Sequence, residues 1–163
     1  MPDTPKAGEK IFRGIPVSAG VCRGKIVLLR RFRPVIDLRK ISEGELGSEV
    51  GRLERALVQT RHQILDVQRR VSGAMGAEEG SIFDAHLLVL EDRTLIDEVI
   101  RVISEDRVNA EHAFHEVAER YAATLAAIDD DYLRERATDM RDVTNRVLNN
   151  LLGLEPEADL RHL

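Results

Sequence analysis

Tryptophan is missing from this chain, aromatic residues make up only 4% of it, and cysteine occurs once, at Cys22. A single cysteine excludes an internal disulfide and any multi-cysteine metal site, and it suits a reducing cytoplasm. No run of about 20 apolar residues is present to span a bilayer, and the opening MPDTPKAGEK lacks the apolar core of a secretory signal. A soluble protein with no membrane partner is therefore expected. Positive charge is not in excess either. The 29 acidic and 24 basic residues leave a net charge of −5, the wrong sign for gaining affinity by displacing counterions from a phosphate backbone. Nucleic acid is not an expected partner.

What the chain does contain points to helix. Its 163 residues suffice for one domain with its own core, and 33% charged residues with few aromatics favour long helices packed through aliphatic side chains. Residues 1–10 hold two prolines, a glycine and four charged side chains, and read as a flexible lead-in. Gly14, Gly20 and Gly24 then punctuate a stretch in which Lys25 to Leu29, KIVLL, has the β-branched, apolar character of a buried strand, with Pro34 closing it. From residue 42 the period changes. Leu46, Val50, Leu53, Leu57, Ile64 and Val71, with Thr60 and Val67 in the gaps, form one helical seam. Ser42 and Glu45 have capping-box spacing at its start, and Gly73 and Gly76 lie where it should stop.

Phe83, Leu87 and Leu90 continue the pattern up to a break near Glu91, where Asp92 is placed to cap a helix carrying Leu95, Ile96, Val99, Ile100 and Ile103. Ala110, Phe114, Val117, Tyr121, Leu125 and Ile128 make the next seam. Leu133, Ala137, Met140, Val147 and Leu151 make the last, ended by Gly153 and Pro156. Long seams joined by short polar links predict a mainly α fold, antiparallel helical hairpins forming a bundle over residues 42–153. A short N-terminal β segment over 11–33 precedes it, and residues 154–163 read as a linker cut short.

Most chemistry-bearing side chains have plain readings. His86 lies among Phe83, Leu87 and Leu90 and reads as a structural histidine at an interface edge, while His62 and His162 have no supporting motif. His112 and His115, with Glu111, Glu116 and Glu119, share helical faces, but no further ligand group completes a metal shell. GIPVSAG lacks both the lysine-serine ending of a nucleotide-binding P-loop and the G-x-G-x-x-G spacing, so Ser18 reads as a turn residue. No catalytic residue, metal ligand or cofactor is assigned to the chain. Glu78 and Glu79 before an apolar helix, and Glu91 with Asp92 after it, are placed to border a hydrophobic strip. Tyr132 and Arg136 are residue types that often anchor protein interfaces.

Three stretches carry a resemblance: GIPVSAGVCRGKIVLL (Gly14 to Leu29), SIFDAHLLVLED (Ser81 to Asp92) and DDDYLRERATDMRDVTNRVLNNLLG (Asp129 to Gly153). Together they resemble the amino-terminal region of Enzyme I, the phosphoenolpyruvate-protein phosphotransferase of the bacterial sugar phosphotransferase system, from about Phe12 to Leu154. The resemblance implies that the strand belongs to an α/β phosphohistidine domain left incomplete here, and that the helical part docks HPr, a small phosphocarrier protein, or an HPr-like relative. Carried across position by position, it places Glu78, Glu79, Leu88, Val89, Leu95, Tyr132, Leu133 and Arg136 at the docking surface. The family often has an acidic pair where this chain has Arg93 and Thr94.

The same resemblance puts the phosphate-carrying histidine in a G-G-x-T-S-H context beyond this region, and no such hexapeptide occurs here. The chain alone is thus expected to be inactive. Magnesium, phosphoenolpyruvate binding and homodimerisation through a C-terminal domain belong to the complete enzyme. Two alternatives stay open at this point: a nitrogen-regulatory or dihydroxyacetone-kinase-type homologue with another HPr-like partner, and a helical scaffold or oligomerisation module.

Overall fold

The computed structural model describes residues 35–154 continuously, together with Lys10, Phe12, Gly14, Ile15, residues 19–21, Arg23 and Gly24. The chain divides into two compact units between Arg30 and Arg31, and the helices described below belong to the second. The expected strand KIVLL, with Ser18, Cys22 and Pro34, lies outside the described residues. Among the described residues no strand occurs; one isolated antiparallel bridge joins Lys40 to Val108.

A short 3-10 turn at Glu43–Glu45 leads into α1 (Leu46–Met75), followed by α2 (Ala77–Gly80), α3 (Ile82–Leu90), α4 (Arg93–Asp106), α5 (Ala110–Ala126) and α6 (Asp131–Leu151). The starts follow local chemistry. The Glu45 carboxylate accepts from the Ser42 amide at 2.8 Å and the Ser42 hydroxyl at 2.7 Å, and Asp92 accepts from the Thr94 and Leu95 amides at 2.8 and 3.1 Å. Asp130 caps α6 through the Leu133 amide. The long first helix stops where Gly76 adopts φ 130°, a conformation that a residue with a Cβ resists.

The core runs between α1, α4, α5 and α6. Phe114, Leu53, Ile64, Ile103 and Leu148 are its largest fully buried side chains. Three of the expected seams turn inward, with Leu95, Val99 and Ile103 of α4, Ala110, Phe114 and Val117 of α5, and Ala137, Met140, Val147 and Leu151 of α6 all inside. The α1 seam is covered only in part. Leu53 and Ile64 are sealed, but Leu46, Val50, Leu57 and Val71 are half-buried and Met75 is exposed. Arg61 pairs with Glu91 at 2.7 Å and Gln68 donates to Asp84 at 2.7 Å, so α3 runs back antiparallel along the second half of α1.

A polar hub that periodicity does not reveal closes one end of the bundle. Glu49 is only 2% exposed and Glu111 6%. Glu49 accepts from Arg39 at 2.6 Å, from Arg52 at 2.9 Å and from the Ala110 amide at 2.9 Å. Arg52 also pairs with Glu111 and donates to the Leu151 carbonyl at 3.0 Å, while Asn109 bonds Glu111 and the backbone of Asp37 and Arg39. Segment 37–41, α1, α5 and the end of α6 therefore share one network in which each buried carboxylate has its partners.

Candidate functional site

The residues singled out from sequence do not all reach the surface. Glu78 and Glu79 are exposed on the single turn of α2, and Leu88 of α3 is 73% exposed. Val89, next to it, is half-buried against the core. Leu95 is a correction: at 2% exposure it is a core residue. The Asp92 cap fixes the first turn of α4 so that Leu95 begins the inward stripe continued by Val99 and Ile103, and at that depth it has no surface to offer a partner.

On α6 the candidate residues lie at or near the surface. Tyr132 is 59% exposed and Leu133 is half-buried. The Arg136 guanidinium carbon lies 4.6 Å from the centroid of the Tyr132 ring, in the range of a cation–π contact between residues four apart on one helix. Arg136 Nη1 donates to Asp139 Oδ2 at 3.0 Å. The Tyr132 side chain is the largest influence on Arg136, raising its pKa above the ordinary guanidinium value; partial burial opposes this and the Asp139 carboxylate adds to it. The guanidinium is charged at every physiological pH.

Helices α3 and α6 pack against each other, and His86 marks their seam. Its Nε2 lies 4.0 Å from Asp139 Oδ1, its Nδ1 lies 3.4 Å from the Ile82 carbonyl oxygen, and its ring centroid is 5.6 Å from that of Phe83. The edge reading of His86 agrees with this placement. Asp139 is the member of the cluster that sequence reasoning did not single out. Its signal in the sequence is the i, i+3 spacing from Arg136.

The other polar candidates are accounted for locally. Glu111 turns inward to Arg52, Glu119 pairs with Arg141 at 2.9 Å, and His112 lies 3.5 Å from Glu116. Among the described residues no three His, Cys, Asp or Glu side chains converge as metal ligands. No described helix is long and apolar enough to cross a membrane.

Fold and face together define an all-helical module that presents an exposed leucine and a stacked tyrosine–arginine pair on adjoining helices. Residues 13–136 match the model of the family described as PEP-utilising enzyme, N-terminal, and the chain belongs to that family. It is 39% identical over 145 residues to the phosphoenolpyruvate-protein phosphotransferase of Priestia megaterium, covering 89% of this chain and 25% of that protein. Against the protein of the same name from Haemophilus influenzae it is 34% identical over 141 residues, covering 86% and 24%. An NMR solution structure of Enzyme I superposes with a TM-score of 0.70 at 35% identity, over 75% of this chain and 49% of that one. The chain is thus similar to the amino-terminal region of Enzyme I and spans about a quarter of the length of the curated relatives it matches.

Proposed function

We propose that this chain is the carrier-docking portion of a phosphoenolpyruvate-protein phosphotransferase, holding HPr or an HPr-like protein while a histidine elsewhere in the complete enzyme takes phosphate from phosphoenolpyruvate, with magnesium, and passes it on. The observation that carries the reading is the Tyr132–Arg136 stack, outward on α6 beside α3 with its exposed Leu88. Aromatic and arginine side chains dominate protein interfaces because they bring large contact area together with directed polar groups. The exposed Glu78 and Glu79 support a partner with basic side chains, and Arg93 where the family often has an acid tempers that preference. Leu95 acts from beneath, as packing for α4.

Titration of the chain with HPr, followed by calorimetry, tests this. A saturable one-to-one complex is expected, weakened about tenfold or more by Tyr132→Ala or Arg136→Ala. Incubation with phosphoenolpyruvate and magnesium should leave the mass of the chain unchanged. A phosphohistidine on this chain, or a tight oligomer indifferent to HPr and to its relatives from nitrogen-regulatory and dihydroxyacetone-kinase systems, would sink the reading.

A further inference from the structure

Arg136 is held from two directions. Its guanidinium carbon lies over the Tyr132 ring, and one guanidinium nitrogen is tied to Asp139. Among the described residues Asp139 is the carboxylate that pairs with it, through Nη1, so the Nε–Nη2 edge of the guanidinium carries no ion pair and stays open to an oxygen from outside. Asp139 is itself confined. One carboxylate oxygen accepts from Arg136 and the other faces His86 of α3, whose ring is fixed against Phe83. Side-chain exposure falls from 33% at Arg136 to 22% at Asp139 and 14% at His86, so the row runs from the surface into the α3–α6 seam.

We infer that Asp139, backed by His86, is a positioning residue for docking: it presets the Arg136 guanidinium on the Tyr132 ring with its free edge toward an oxygen acceptor on the partner. An unrestrained arginine loses rotamer freedom when a partner arrests it, and that loss subtracts from affinity; an arginine already arrested in the free protein avoids it. Ion pairs three residues apart on a helix contribute little to folding. The effect of Asp139 therefore belongs to binding. His86, 4.0 Å from the carboxylate and too far for a hydrogen bond, acts by shape, closing the space into which Asp139 would otherwise swing.

The inference rests on the docking reading, and the test separates the two. HPr is titrated calorimetrically into the full chain as wild type, Asp139→Asn, Arg136→Ala and the double variant, while nitrogen-15 relaxation follows the Arg136 Nε–H group in the free protein. Asp139→Asn should weaken binding about three- to tenfold, as expected for arresting one rotamer-rich side chain, with melting unchanged and the Arg136 Nε–H group more mobile. The double variant should bind as Arg136→Ala alone does, and Asp139→Glu should recover part of the loss. Asp139→Ser replaces the asparagine variant if that one fails to fold. If Arg136→Ala weakens binding but Asp139→Asn does not, or if the two losses add, the positioning role is overturned while docking stands. If Arg136→Ala binds HPr normally, docking through this face fails and the positioning role fails with it.

Discussion

Glu49 decides more about this bundle than its place in the sequence suggests. Burial works to raise its pKa, but the hydrogen bond from the Ala110 amide and the Arg52 guanidinium outweigh that, and the pKa lies below the ordinary value of 4.5. A carboxyl whose folded pKa is depressed contributes stability that is fully present above its unfolded value and lost as pH falls through the folded one. Urea denaturation should therefore give a constant stability above about pH 5 and a decline below pH 4.5. Glu49→Gln should flatten part of that decline while lowering stability at pH 7 by about 1–3 kcal/mol, since the Ala110 amide and two arginines lose their charged acceptor. A decline of unchanged steepness in the variant would assign the acid sensitivity to other carboxylates. Glu45 and Glu98, also shifted down, are the next candidates.

Among the elements, the smallest sets the tightest constraint. Gly80 ends α2 against α1, and a Cβ there would run into the Ser72 hydroxyl and come within 3.1 Å of the Ser72 Cβ. Gly80→Ala should push α2 away from α1 and destabilise the protein by about 1–3 kcal/mol, and adding Ser72→Gly should recover part of the loss if the clash is the cause. Thermal melts of the two variants check this, with no recovery counting against it. Helix limits were legible because they depend on neighbours in sequence: Ser42 with Glu45, Asp92 with the two amides following it, Gly76 in a conformation that suits glycine. The hub was not. Glu49 meets the Ala110 amide 61 positions away, and nothing within one turn of either residue announces the meeting. Leu95 shows the two kinds of reading in conflict. Its 3–4 spacing with Val99 pointed inward and the family match pointed outward, and its 2% exposure sides with the spacing.

At the scale of the molecule, the proposed docking face was legible only in part. The Tyr132–Arg136 pair was legible because four-residue spacing on α6 brings the two side chains together directly, Tyr132 exposed and Arg136 half-buried. The contribution of α3 depends on how two helices distant in sequence pack, and periodicity is silent on that. The hub has a mechanical meaning as well. Arg52 grips the carbonyl that ends α6 and shares Glu49 with Arg39, so the two places where the backbone enters and leaves the helical unit are clamped at the same pole. A force applied in an optical trap between residues 35 and 154 should load this clamp first and open the bundle by peeling rather than by sliding helices past one another. Glu111→Gln should lower the rupture force, and an unchanged force would place the mechanical weak point elsewhere. A domain attached at those two points would pull on Arg52 and its carboxylates before any helix felt the strain.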